Sequence, residues 1–202
     1  MPDRNQLMRQ NLLRSAAQRY DFVLVPGRFN SGVEHWQSLW EQTLPIWQRV
    51  TQRHWNDPDT HRLNGSLRRL LAGCKRPALL VGHSLGALSA VCLTAELPQK
   101  VAGVMLVAPA EPSKFHAEDD VPNAALGVPG LLVASHTDPF MSFARAEYWS
   151  ALWGCELIDL GEAGHINVDS GFGPWHYGLE LLCQLVTAMD AVHTGEGSIT
   201  QV

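Results

Sequence analysis

The chain has 202 residues, 46% hydrophobic and 17% charged, with a formal net charge of −5. That profile is globular, lies far from the signature of disorder, and is long enough to bury one domain's core without disulfides or a structural metal. The acidic balance argues against nucleic-acid backbone binding, which needs a basic face, and no run is apolar and long enough to span a bilayer.

The elements follow in chain order. Residues 1–19 carry Arg4, Arg9, Arg14 and Arg19 against one acid, Asp3. They lack the apolar stretch of a secretory signal and read as an N-terminal extension, helical or frayed. YDFVLVP at 20–26 reads as a first strand closed by Gly27. A helix is expected from Val33 or Glu34, ending at Pro45, and a short strand over 47–51. Asp57-Pro58-Asp59 is a helix-start signal, with Gly73 as the stop near Ala72. PALLVG at 77–82 is apolar without alternation, as in a strand buried on both faces. A helix over 85–97, a strand over 101–107, an irregular acidic segment over 108–127 and a strand over 128–135 come next. Then follow a helix over 140–153, a strand over 155–160, a glycine-rich loop and a helix over 174–191. Strands alternating with helices predict an α/β fold of three layers, a parallel sheet of about six strands with helices on both faces and no large lid. Residues 20–193 are expected to form one domain, and 194–202 a flexible tail.

Cys74, Cys92, Cys155 and Cys183 form no C-x-x-C pair and no zinc spacing with histidine. They read as reduced core thiols, which suits a cytoplasmic location. No metal or organic cofactor is expected.

Gly82-His83-Ser84-Leu85-Gly86 matches the G-x-S-x-G turn that presents a nucleophilic serine between a strand and a helix. The turn is so tight that Cβ atoms at the flanking positions would clash. Asp138 follows the strand over 128–135 at its carboxyl end, where loop residues of open α/β sheets gather. His165 lies on the glycine-rich loop after the last strand. The order Ser84, Asp138, His165 is that of α/β-hydrolases, with His165 as general base and Asp138 as its orienting acid. The oxyanion donors expected are the Leu85 N–H and an N–H from the loop after the first strand, at Arg28 or Phe29. His35, Trp36 and Trp175 are candidate pocket residues, with His176 beside Trp175 at the rim. Trp40, Trp47, Trp149 and Trp153 are assigned to the core, and His83 to packing or hydrogen bonding. The chemistry expected is hydrolysis of small-molecule carboxylic esters, amides or thioesters; a silent binding protein on the same scaffold is the alternative.

Five blocks carry a resemblance: PGRFNSGVEHWQSLWE at 26–41, LLVGHSLGALSA at 79–90, VAPAEP at 107–112, SHTDPF at 135–140 and GEAGHINVDSGFGPWHYG at 161–178. Together they resemble the small serine hydrolases that include retinoblastoma-binding protein nine and the bacterial YdeN proteins. The resemblance implies a compact sheet and a triad of Ser84, Asp138 and His165. The L-x-C-x-E motif by which one such protein binds a pocket protein has no counterpart here, so that partner is not implied.

Overall fold

The computed structural model describes residues 4–57 and 59–194. Six strands, β1 (Asp21–Val25), β2 (Trp47–Arg49), β3 (Ala78–His83), β4 (Val101–Val107), β5 (Gly130–Ala134) and β6 (Glu156–Asp159), form one sheet in the order β2-β1-β3-β4-β5-β6. Every pairing is parallel. The chain reverses its direction of travel between β1 and β3. Such a switch point opens a crevice at the carboxyl ends of the two strands, the usual ligand site of open α/β sheets.

Strand geometry sends alternate side chains to opposite faces, and here both faces are apolar. Val23, Val25, Leu80, Val104, Leu106, Leu132 and Ala134 pack under α3 (Thr60–Gly73), α4 (Leu85–Glu96) and α5 (Phe143–Trp153). Phe22, Leu24, Leu79, Val81, Met105, Val107, Leu131 and Val133 pack under α1 (Arg4–Ala16), α2 (Trp36–Thr43) and α6 (His176–Thr194). Burial on both sides explains why these strands read as unbroken apolar runs.

Helix α1 docks on α6. Leu13 and Ala16 are buried, Arg9 pairs with Glu180 at 2.5 Å, and Arg19 and Tyr20 both bond Asp190. The exposed ion pairs contribute little each; the two buried apolar side chains hold the helix. Asp21 anchors the start of β1: it is buried and accepts the N–H groups of Lys75 and Arg76 and the Arg76 guanidinium.

Several boundaries differ from expectation. Helix α3 runs through Gly73 and ends on Cys74, whose backbone is extended, so Gly73 is not the stop. Its cap is Asp59, accepting from His61 N–H at 2.9 Å; Pro58 lies outside the described residues. Helix α5 begins at Phe143 rather than 140 because Pro139 and the turn after Asp138 precede it. Thr194 ends α6, and the tail expected beyond it falls outside the described residues. The cysteines are free; Cys74, Cys92 and Cys155 are buried, and burial pushes the Cys92 thiol up to about 11. Among the described residues no helix is long and apolar enough to cross a membrane.

Candidate active site

Ser84 stands between β3 and α4 with φ 55° and ψ −121°, a region that non-glycine residues rarely occupy. The surroundings hold it there. Its N–H donates to Val107 O at 3.0 Å, and its carbonyl accepts the Ala87 N–H at 3.0 Å. The two glycines of the motif allow the close approach this requires. A Cβ on Gly82 would lie 2.6 Å from both Ala87 Cα and Gly86 O, and one on Gly86 would run into Val25 O and Pro26 O. Helix α4 can therefore start directly above the ends of β1 and β3, and the helix dipole points its positive end at Ser84.

His165 sits on the loop between β6 and α6, which is tied down at nearly every residue. Ala163 and Gly164 N–H groups donate to Ser135 Oγ and Thr137 Oγ1 at 2.9 and 3.0 Å. His165 N–H donates to Ser170 Oγ, itself bonded to Asn167 Oδ1. His83 Nε2 donates to the His165 carbonyl at 2.9 Å, and Trp36 Nε1 to the Ile166 carbonyl at 2.9 Å. The His165 Nδ1 lies 3.0 Å from both carboxylate oxygens of Asp138. The Asp138 side chain is only 3% exposed and that of His165 9%. An acceptor pair on Nδ1 places that proton on Nδ1 and leaves Nε2 as a base. Asp138 also accepts the Phe140 N–H at 2.8 Å, and Phe140 packs on the imidazole with centroids 4.4 Å apart.

A cavity of about 370 Å³ opens over these groups. Its lining includes Ser84, His165, His83, His35, Phe29 and Phe140. Arg28, Asn30, Phe115, Asn167 and Asp169 complete it. That volume lies at the small end of ligand pockets. A larger open groove by α3 is lined by Arg53, His54, Arg62 and Arg69, away from the serine.

The loop after β1 separates the two oxyanion candidates. Phe29 has φ 67° and donates its N–H to Trp55 O at 2.8 Å, so that N–H is already engaged. The Arg28 N–H, in the turn closed by Asn30 N–H on Gly27 O, has no acceptor among the described residues, and neither has the Leu85 N–H.

Of the pocket candidates, His35 lines the cavity, and Trp36 and Trp175 do not. This corrects the pocket assignment of both tryptophans. Their rings are too large and apolar to leave exposed while an aromatic core lies beneath, and they join it: Trp36 meets Trp40 at 4.7 Å and Trp175 at 5.2 Å, and Trp175 stacks on Trp40 at 5.8 Å. His176 opens α6 and is likewise absent from the lining. Phe115, Phe140, Asn167 and Asp169 were not singled out in the sequence; only the SHTDPF and GHINVDSG blocks hinted at three of them. Trp149 and Trp153 are buried in the core, stacked on each other. His83 is buried and bonds the His165 loop; burial, then His165 and His35, push its pKa well below the usual histidine range.

Open parallel sheets with a serine in such a turn on a central strand form a class, the α/β-hydrolases, and this fold is of that class. The chain belongs to a serine hydrolase family, whose pattern matches residues 22–184. A YdeN-like hydrolase of Pectobacterium atrosepticum is 47% identical, with 90% of this chain and 98% of that one covered and a TM-score of 0.87. The ydeN gene product of B. subtilis is 16% identical over 83% of this chain and 99% of its own, with a TM-score of 0.70. A carboxylesterase of Bacillus cereus is 16% identical over 86% and 90%, with a TM-score of 0.58. These last two share the fold. No curated protein matches the chain.

Proposed function

We propose that the protein hydrolyses small carboxylic esters through an acyl-serine formed on Ser84, with amides or thioesters as slower or alternative acyl compounds. The observation that carries this reading is the conjunction of a strained serine at a helix N-terminus with a buried histidine whose Nδ1 is clamped by Asp138 on the rim of the same cavity.

A serine hydroxyl is a weak nucleophile at neutral pH. His165 Nε2 takes its proton as Ser84 Oγ attacks the carbonyl carbon, then returns the proton to the departing alcohol. Asp138 holds the imidazole orientation and balances the imidazolium charge. The tetrahedral oxyanion lies between the Leu85 and Arg28 N–H groups, each worth roughly 3 kcal/mol to such an intermediate. A water activated by His165 then attacks the acyl carbon and releases the acid and Ser84. The cavity's modest volume and its phenylalanines suit substrates with a short acyl or alkoxy group.

The test is labelling of folded protein with a fluorophosphonate, read by intact mass. One adduct is expected in wild type and none in Ser84→Ala or His165→Ala. A folded wild type that takes no adduct, or a Ser84→Ala that keeps it, overturns the proposal and returns the chain to the class of silent binding proteins.

A further inference from the structure

The chain turns sharply after β1. Phe29 and Asn30, side by side, have φ 67° and 66°, in the left-handed region. Asparagine tolerates that region, whereas a bulky phenylalanine is strained there. Such strain persists only where the surroundings over-determine it. Arg28 stands directly before the strained pair, and Arg28, Phe29 and Asn30 all line the cavity that holds Ser84. On the proposed reading the Arg28 N–H is one of the two oxyanion donors, and a donor of that kind works only if it is fixed before the reaction begins. The Asn30 N–H on Gly27 O at 3.2 Å closes the turn but does not tie it to the rest of the molecule.

Arg49, on the edge strand β2, makes that tie. Its side chain is 13% exposed. Nη2 donates to Asn30 Oδ1 at 3.0 Å and to the Ser31 carbonyl at 2.8 Å. Nη1 donates to Ser38 Oγ at 3.0 Å and to Glu41 Oε2 at 2.9 Å, both on α2. Ser38 Oγ closes the circuit by donating to the same Ser31 carbonyl at 2.9 Å. One planar guanidinium thus bridges the turn and the helix behind it. An ammonium is a single point and cannot span those four acceptors. From the other side, the Trp55 carbonyl takes the Phe29 N–H at 2.8 Å and the Asn56 carbonyl takes Arg28 Nε at 3.0 Å. Arg49 is absent from the cavity lining, so it acts on a reaction there only through the turn.

We infer that Arg49 is a positioning residue of the hydrolase: its guanidinium holds the strained turn at Phe29 and Asn30, and with it the Arg28 N–H, in the geometry that receives the oxyanion. This deepens the hydrolase reading and rests on it. The effect falls on the transition state and not on substrate binding, because the carbonyl oxygen gains its negative charge only as the tetrahedral intermediate forms. Without the fork the turn is free to relax, and a group displaced by about 1 Å can cost on the order of 10²-fold in rate.

Arg49→Met, Arg49→Lys and Ser38→Ala test it on p-nitrophenyl acetate. Acylation and deacylation both pass through an oxyanion, so kcat falls whichever step limits. Arg49→Met is expected to lower kcat about 10- to 100-fold, with KM within about twofold of wild type. Arg49→Lys keeps the charge without the fork and is expected to lose about tenfold or more. Ser38→Ala keeps Arg49 but removes one of its acceptors and one bond to the Ser31 carbonyl; a loss of about three- to tenfold is expected, and this variant decides the matter should those at Arg49 not fold. Hydrogen exchange read by mass spectrometry locates the effect: amides over 27–31 are expected to exchange faster, and those over 163–167, the His165 loop, at the wild-type rate. A wild-type kcat in the folded variants, or a raised KM in place of a lowered kcat, overturns the inference. So does exchange that quickens over 163–167 as much as over 27–31, the mark of a fold that is merely weakened. Fluorophosphonate labelling separates the failures: an adduct in wild type beside variants of unchanged kcat sinks this inference alone, whereas a wild type without an adduct sinks the hydrolase reading and this inference with it.

Discussion

Two of the aspartate–histidine pairs among the described residues, Asp138–His165 and Asp159–His136, differ in almost everything but chemistry. Asp138 and His165 meet with side chains 3% and 9% exposed. Asp159 and His136 meet at 2.9 Å with side chains 51% and 49% exposed. His136 and the Gly161 N–H hold the Asp159 carboxyl below its ordinary range. Yet its histidine stacks on Phe143 at 3.9 Å and is not among the residues that line the cavity with Ser84. An ion pair in water is weakened by solvent screening, whereas a buried carboxylate that clamps one imidazole nitrogen fixes the proton on it. Burial, and a serine within the same cavity, separate a candidate catalytic pair from a surface contact.

The comparison can be broken or sharpened by mutation. The largest effect is expected for Asp138→Asn, which removes the clamp while keeping the shape: roughly 10³- to 10⁴-fold lower kcat/KM for a small ester in a stopped-time hydrolysis assay. A loss below tenfold would mean that burial does not distinguish the two pairs. Next comes Gly86→Ala, whose Cβ meets the backbone of Val25 and Pro26 and so pushes α4 and Ser84 off the sheet. A stability loss of about 3 kcal/mol, read from urea unfolding, is expected. A midpoint equal to wild type would show that the turn is not held by that approach.

A pH dependence of stability should follow from the rings that surround the buried pair. His35 has a folded pKa of about 4, lowered by burial, against an ordinary value of 6.5, and His83 is lowered too. A histidine held neutral in the fold binds its proton more readily when unfolded. Stability is therefore fully present above pH 6.5 and lost as pH falls toward 4, by about 1.4 kcal/mol per unit for His35 within that window. Urea midpoints between pH 4.5 and 7 check the slope, and His35→Asn should lessen it. A smaller effect is expected from Trp36→Phe, which removes the bond to the Ile166 carbonyl: about 1 kcal/mol of stability, with a looser His165 loop visible as faster amide exchange over 163–167. The smallest belongs to Asp159→Asn, under about twofold in kcat/KM.

Much of the fold was legible because burial on both faces writes itself into the chain as unbroken apolar runs. LLVG at 79–82 and VMLV at 104–107 could only be central strands, and Ser84 and Asp138 each follow an apolar run of this kind, while His165 follows the edge strand ELID at 156–159. Residue type and strand-end position were enough to nominate Ser84, Asp138 and His165. The rest of the site was not legible, because it depends on which atoms the packing leaves over. Trp36 sits beside His35 in sequence, yet one ring enters the core and the other the cavity. The Phe29 N–H looks as available as that of Arg28 until Trp55 arrives to accept it.

The sequence by itself determined the class of chemistry and the strand on which it would sit. It did so because a tight serine turn tolerates only glycine at its flanks and because helix and strand periods are local. Only the tertiary structure decided which aspartate is dry, which N–H groups remain free, which loops wall the cavity and that Arg49 grips the turn after β1. Each of these is set by contacts between residues far apart in the chain, where exposure and hydrogen-bond partners are shared out among all neighbours at once.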